Sequence, residues 1–314
     1  MGIKKNLGNL PIVSTGNGVR PDADPFIGRA IAKAWLDVNY QEGKAHAVEG
    51  SRFRFSMAGA CTRQLQYYVN GVEVTNPPDA ADAWRMGLGT MVHEAIQEHF
   101  KSIGHGGDLF DSDSFDVEME TKTSIPKISG SGHVDMFFTL YDKNKEVIRK
   151  IVVEIKTLNG FGFKMAATGF KGPAEGPRRD HIKQAALSAY ALDADDVIMC
   201  YVSMENVSPS IAGKYCDDAE FGRFTAQWTY SKAEWMPLAE AEIDRISKVL
   251  SEIDHPSNHL VAPSIENDSG NQVFITDPST GRWELTHEGE LIDSGKAWQC
   301  GYCRYRDRCI KDSV

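Results

Sequence analysis

The sequence predicts an α/β fold, a small mixed central sheet flanked by helices. Three observations predict it. Residues 132–157 hold two β-rich apolar runs, Gly132-His133-Val134-Asp135-Met136-Phe137-Phe138 and Ile151-Val152-Val153-Glu154-Ile155-Lys156-Thr157, around a polar turn of Asp, Lys and Asn near Asp142. That pattern reads as a β-hairpin. Val197-Ile198-Met199-Cys200-Tyr201-Val202 reads as a buried strand. Stretches with helical spacing of apolar residues, over 80–100, 180–192 and 231–253, alternate with these strands.

In chain order, residues up to about Pro25 form a polar arm with scattered Gly, Asn and Pro, and 26–40 has the spacing of an amphipathic helix. The expected organisation is therefore 1–50 as an N-terminal arm and helix, and 51–314 as one domain. Cys61-Thr62-Arg63 places a cysteine at the entry to a helix, and Asn76-Pro77-Pro78-Asp79 breaks the chain. In 80–100, Leu88, Met91, Val92, Ala95, Ile96 and Phe100 make the apolar stripe, with His93 beside it. A glycine loop at 104–107 leads to an alternating strand over 115–123.

After the hairpin, Phe161 and Phe163 precede a loop carrying Phe170, Lys171, Arg178 and Arg179. In an acidic protein this basic loop is either a solvated segment or a phosphate-binding flap, and its aromatics either pack or stack on bases. The helix over 180–192 carries His181, Gln184 and Tyr190. Cys200 reads as a core residue and Cys216 as a loop residue without a clear partner. A strand over 224–230 leads into the 231–253 helix, where Ser231 and Glu234 have capping-box spacing. A polar segment rich in Asn, Ser and Pro then separates that helix from the tail Trp298-Gln299-Cys300-Gly301-Tyr302-Cys303-Arg304-Tyr305-Arg306-Asp307-Arg308-Cys309. There is no internal repeat, low-complexity tract or Walker loop.

The formal net charge of −10 argues against broad nonspecific attraction to nucleic acid, although local basic loops and bound cations can override the mean. No apolar run is long enough to span a bilayer, so no membrane association is expected. The start Met1-Gly2-Ile3-Lys4-Lys5-Asn6 lacks a signal-peptide core, and Asn6 stands where a myristoylation site has Ser or Thr. The expected location is cytoplasmic.

Side chains alternate across a strand, so Glu154 and Lys156 share one face and Ile155 takes the other. If Asp135 faces the same way, two carboxylates and an amine converge. Such charges must be paired or hold a metal, and the donors suit a hard cation such as Mg²⁺ or Mn²⁺. The plainer reading is a surface hairpin with an ion pair. The six cysteines, in a reducing compartment, point to metal rather than disulfides. Cys300, Cys303 and Cys309 are a compact run, and Cys61 is the best fourth ligand, because a helix N-terminus and Arg63 lower a thiol pKa. By spacing, Zn²⁺ and an iron–sulfur cluster are both compatible.

The order Cys61, His93, Asp135, Glu154-Ile155-Lys156, Gln184, Cys300, Cys303, Cys309 resembles the RecB-like branch of the PD-(D/E)xK nuclease superfamily over about residues 55–309. It is most similar to the iron–sulfur members, the CRISPR-adaptation exonucleases and the AddB nuclease domain. The resemblance implies a restriction-endonuclease-like sheet, with a C-terminal cysteine region joined to an N-terminal cysteine. It implies that His93, Asp135, Glu154 and the Ile155 carbonyl bind the divalent metal, that Lys156 positions the attacking water, and that Gln184 is catalytic. It also implies a [4Fe–4S] cluster on the cysteines. The family's Gln-x-x-x-Tyr motif is broken here, since Ser188 stands four residues after Gln184 and the nearest tyrosine is Tyr190.

The function implied is a Mg²⁺- or Mn²⁺-dependent deoxyribonuclease, expected to act as an exonuclease on single-stranded or duplex DNA ends. Lys171, Arg178, Arg179, His181 and Tyr190 would contact the substrate. Recombination, repair, phage DNA metabolism and CRISPR adaptation are compatible settings, with a recombination or replication protein as a partner and a bacterial or phage-infected cell as the host. The alternatives are a non-catalytic DNA-end-binding protein with a structural cluster, a structural zinc protein, and a hydrolase of another phosphate ester.

Overall fold

The computed structural model describes residues 51–103, 110, 112–169, 173–216, 221–255, 260–267, 270–287 and 290–313. The arm and helix expected within 1–50, the loop at 104–107, Phe170 and Lys171 lie outside the described residues.

The expected hairpin forms from β3 (Gly130–Tyr141) and β4 (Val147–Leu158), with Asp142 Oδ1 accepting the backbone N–H groups of Asn144 and Glu146 in the turn. It is the middle of a six-stranded mixed sheet. β2 (Ser114–Ile125) lies antiparallel to β3 along its whole length. On the other side of the hairpin, β5 (Asp196–Ser203) runs parallel to β4, and β6 (Thr225–Ser231) runs antiparallel to β5. A short β1 (Phe53–Arg54) pairs parallel with Gly130 and Ser131 of β3. Because β2 already occupies one edge of β3 there, β1 takes the edge that β4 has left.

Helix α1 (Thr62–Val69) begins directly after Cys61, and α2 (Ala80–Ile103) precedes β2. Helices α3 (Gly160–Thr168) and α4 (Arg179–Leu192) connect β4 to β5. The short α5 (Pro209–Ala212) precedes β6, and the long α6 (Lys232–Ile253) follows it. Ser231 caps α6 as expected, its backbone N–H and hydroxyl donating to Glu234 Oε2 at 2.8 and 2.7 Å.

Alternation along the strands separates two cores. Val152, Val197, Met199 and Tyr201 face α3, α4 and α6, against Phe163, Ala185, Ala186 and Trp235. Ile151, Val153 and Ile155 face the opposite way with Phe115, Met136 and Phe138, under Ile96 and Phe100 of α2. Full burial of side chains of this size is worth roughly 1.5–3 kcal/mol each. A third cluster joins α6 to the α1 region through Ile243, Ile246, Phe53, Phe55 and Leu65.

The structure corrects three expectations. In the α2 stripe, Met91 and Ala95 are exposed. The helix meets the sheet through Ile96, Gln97 and Phe100, and at Gly89 its backbone comes so close that an added Cβ would lie 3.1 Å from Thr157 Oγ1. Phe163 is fully buried, so it packs and does not stack on bases. It belongs to helix α3, which Asn159 caps by accepting the Gly162 N–H at 2.7 Å.

Third, the polar segment after α6 folds into a second, four-stranded antiparallel sheet of β7 (Ser264–Glu266), β8 (Gln272–Asp277), β9 (Arg282–His287) and β10 (Glu290–Lys296). Its small core is Ile265, Val273, Ile275, Trp283 and Ala297, with Cys61 and Cys300 packed against it. The alternation of Val273 and Ile275, and of Trp283 and Leu285, about the turn at Pro278 was the available signal. The chain ends in a 3₁₀ turn (Trp298–Tyr302) and helix α7 (Arg306–Lys311). No helix among the described residues is long and apolar enough to cross a membrane.

Candidate active site

The site lies where β3 and β4 part. Their ladder runs inward from the turn and stops at Met136 opposite Val153. Continuing that register one step sets Asp135 across from Glu154. The Ile155 N–H then donates to the Asp135 carboxylate, at 2.7 Å from Oδ2, instead of to a backbone carbonyl. The strand edges are thus opened by a side chain.

Glu154 sits at the bottom of this fork with its side chain 1% exposed. Its Oε1 accepts from Lys156 Nζ at 2.7 Å and from Gln184 Nε2 at 2.6 Å. Lys156 Nζ also donates to Gln184 Oε1 at 3.1 Å, which closes a three-residue ring. Glu154 Oε2 is buried and, among the described residues, has no hydrogen-bond partner. Burial raises the Glu154 pKa; Lys156 pulls it down, Asp135 pushes it up, and the result is about 7. Burial works against the Lys156 ammonium, but Glu154 and Asp135 outweigh it and raise its pKa.

From α2, His93 Nδ1 lies 3.4 Å from Asp135 Oδ1. Burial lowers the His93 pKa, and the hydrogen bond and charge of Asp135 more than offset that, so the net direction is up. The fold thus brings His93, Asp135, Glu154, Lys156 and Gln184 together. Among the described residues, no group of three or more His, Cys, Asp and Glu side chains is drawn tightly enough to hold a metal ion. The donor chemistry nonetheless fits a hard divalent cation: two carboxylates, an imidazole and a buried carboxylate oxygen without a partner.

Two residues here escaped the sequence reading. Gln97, one helical turn after His93, donates to Glu120 Oε1 at 2.7 Å and to the Asp135 carbonyl at 3.3 Å. The i, i+4 spacing was a signal for it. Glu120 interrupts the β2–β3 ladder opposite Asp135 with a left-handed backbone, φ 48°. Such a conformation in a strand is strained for a side-chain-bearing residue, and nothing local in the sequence marks it.

The expected substrate residues divide. His181 Nδ1 is 2.7 Å from the Tyr201 hydroxyl. Burial lowers its pKa; Asp180 opposes this, while Lys156 and Arg178 add to it, and the value falls to about 3. Burial thus favours the neutral imidazole at His181. Arg179 is ion-paired with Glu266 of β7. Arg178 pairs with Asp180 and also lies over the Trp298 ring. Tyr190 is 40% exposed on α4, and among the described residues it makes no hydrogen bond to the Glu154 group. Six residues along a helix do not return to the same face.

Behind Gln184, Lys183 is buried between Glu242 of α6, at 3.0 Å, and Glu266, at 2.5 Å. Arg245 also pairs with Glu242, at 2.5 Å, and donates to the Ala60 carbonyl at 3.0 Å. This network fixes α4, and with it Gln184, against α6, the second sheet and the residue before Cys61.

Cys61, Cys300, Cys303 and Cys309 line one cavity, together with Arg63, Tyr67 and Arg306. Arg63 Nη1 is 3.8 Å from Cys309 Sγ. At Cys61 the direction is the opposite of the lowering that the helix start and Arg63 suggest. Burial raises Cys61 despite backbone N–H donors at the start of α1, and burial with neighbouring thiols pushes Cys300 up to about 12 and Cys303 to about 11. Cys200 is half-buried in the core under α2, as expected, and Cys216 stands outside both sites.

These elements define an α/β protein with a buried carboxylate–lysine–glutamine ring at a fork in a mixed sheet. No protein-family model and no curated protein matches the chain. Among solved structures it is similar to SSO0001, at 18% identity over 70% of this chain and 86% of that one, with a TM-score of 0.37. It is also similar to an alkaline exonuclease, LHK-Exo, from Laribacter hongkongensis, at 14% identity over 71% and 94% and a TM-score of 0.39. The same enzyme in complex with dAMP matches at 16% identity over 64% and 89%, with a TM-score of 0.38. At these scores the likenesses carry no argument about the chemistry of this chain.

Proposed function

We propose that this protein is a divalent-metal-dependent deoxyribonuclease that hydrolyses phosphodiester bonds at DNA ends. The observation that carries this reading is Glu154: a carboxylate buried in the sheet fork, held on one oxygen by Lys156 and Gln184, unpartnered on the other, and set opposite Asp135. A buried charged cluster of this kind is costly as a stability device and is the arrangement a metal-assisted hydrolase needs. The resemblance of the Asp135, Glu154-Ile155-Lys156 and Gln184 order to the RecB-like nucleases agrees with it.

His93, Asp135, Glu154 and the Ile155 carbonyl would hold the ion. Bound there, Mg²⁺ or Mn²⁺ supplies Lewis-acid polarisation of the phosphoryl group and activation of water. Lys156, kept protonated by its two carboxylate neighbours, offsets negative charge that develops on phosphorus and orients the attacking water. Gln184 fixes the rotamers of both Glu154 and Lys156. Gln97 holds the Asp135 backbone in place.

We further propose that Cys61, Cys300, Cys303 and Cys309 carry a [4Fe–4S] cluster. Four thiols facing one cavity fit such a group. Their order in the chain resembles that of the iron–sulfur RecB-like nucleases, and this favours a cluster over Zn²⁺, which the same four thiols also suit. Its role would be to tie the C-terminal tail to the start of α1.

The test is cleavage of end-labelled linear single- and double-stranded DNA by anaerobically purified protein, with Mg²⁺, Mn²⁺ or EDTA, beside Glu154→Ala. Metal-dependent cleavage that the variant loses supports the reading. A folded wild type that cuts neither substrate with either ion overturns it.

A further inference from the structure

The turn that carries Cys300 also presents two exposed rings. Trp298 is 51% exposed and Tyr302 is 73% exposed. Their centroids are 6.0 Å apart, with the planes at 65°. Large apolar side chains this exposed, next to each other on one turn, are unusual on a soluble surface unless they meet a partner. One side of Trp298 is taken by the Arg178 guanidinium, whose Cζ lies 4.4 Å from the ring centroid. Arg178 is itself held by Asp180, with Nε 3.0 Å from Oδ1.

This group is tied to the sheet fork. The Arg178 backbone N–H donates to the Tyr201 hydroxyl at 2.9 Å. Tyr201 is the β5 residue paired with Lys156 of β4, and adjacent strands are about 4.8 Å apart. A chain with negatively charged links and flat faces has the chemistry to engage both ends of this connection.

We propose that Trp298 and Tyr302, backed by Arg178, form a stacking platform for unpaired bases of a single nucleic-acid strand leading to the Glu154 site. The proposal rests on the nuclease reading for the direction of the strand and extends it to substrate class: a single-stranded end, or a frayed one. The platform offers two flat faces and one cation, with no array of hydrogen-bonding groups to read a base edge. Binding through it is therefore tolerant of sequence, since every base has a π-face. Both rings stand on the turn that carries Cys300 and that Cys303 follows, beside the cysteine cavity.

The experiment is a fluorescence-anisotropy titration of labelled single-stranded DNA against the full chain in EDTA, at several salt concentrations. Trp298→Ala combined with Tyr302→Ala is expected to weaken binding roughly 5- to 100-fold, the range for losing base–aromatic stacking. The slope of log affinity against log salt stays unchanged, because no phosphate contact is lost. Trp298→Phe retains binding within a few-fold. Trp298→Leu keeps apolar bulk under Arg178 but has no π-face, so it weakens binding as alanine does even if the alanine variant is poorly folded. Binding by the Leu variant or a folded double variant within twofold of wild type overturns the platform. The two readings fail separately. A wild type that cuts duplex ends but does not bind single strands loses the platform and keeps the nuclease. One that binds through Trp298 but cuts nothing keeps the platform and loses the nuclease.

Discussion

Lys156 Nζ stands 2.7 Å from Glu154 Oε1, two residues along one strand and on the same face. The contact favours the charged form of each group in a place where burial works against both; at Glu154 burial still prevails and the pKa is about 7. Lys156→Ala should lower DNA cleavage by about 10²–10⁴-fold, the range for losing a placed charge or proton-handling group. Single-turnover cleavage with Mn²⁺ measures it, and circular dichroism checks that the fold survives. Near-normal cleavage by the folded variant would remove Lys156 from the chemistry.

Gln97 bridges the strained Glu120 and the Asp135 carbonyl. Gln97→Leu keeps the volume and removes the donors, leaving a carboxylate and a carbonyl without their partner. A loss of roughly 1–3 kcal/mol is expected, read from urea unfolding. Cleavage should fall with it, since Asp135 would be less well placed. Unchanged stability together with unchanged cleavage would show that Gln97 only fills space.

Glu242 supplies the pH test. Burial raises its pKa, but Arg245 and Lys183 overcome that and bring it down to about 2. A depressed carboxylate favours the folded state above its unfolded pKa, near 4.5. That contribution, on the order of 3 kcal/mol, is present at neutral pH and lost as pH falls from about 5 towards 2. Glu242→Gln should be less stable at pH 7 and show a flatter acid limb in thermal melts. An acid limb as steep as that of the wild type would mean other carboxylates dominate.

Lys183 faces the same carboxylate from α4 with its side chain 5% exposed. Lys183→Met leaves Glu242 and Glu266 short of a counter-charge, so a loss of about 3–5 kcal/mol is expected. The neighbouring Gln184 should lose its fixed position, and cleavage should drop more than the fraction unfolded accounts for. A double-mutant cycle with Glu242→Gln should show strong coupling; additive losses would argue against the network.

For the cysteine cavity, Cys300→Ser should abolish the brown colour and the bound iron and sulfide of anaerobically purified protein, and lower the melting temperature. Cys216→Ser should change neither. A colourless wild type containing one zinc per chain would replace the cluster with Zn²⁺.

Much of this site was legible before any coordinates. A period of two within β4 is enough to place Glu154 and Lys156 on one face with Ile155 behind them. His93 and Gln184 were legible as polar residues on helices with apolar faces, and the compact spacing of Cys300, Cys303 and Cys309 marked them as a group. The second sheet was not recognised, because short strands with many exposed polar residues resemble loops until a partner strand pairs with them.

What the sequence determined by itself is therefore local: helices, the hairpin, the sheet class, and which residues are candidates for chemistry. Tertiary structure decided what those residues meet. It parted β3 from β4 at Asp135, left Glu154 Oε2 unpartnered among the described residues, and set Arg178 against Trp298, 120 positions away in the chain. It lowered the His181 pKa by burial and tied Arg179 to Glu266. Propensity and periodicity act over a few neighbouring residues, whereas desolvation and charge pairing depend on groups that only the folded chain brings within a few ångströms.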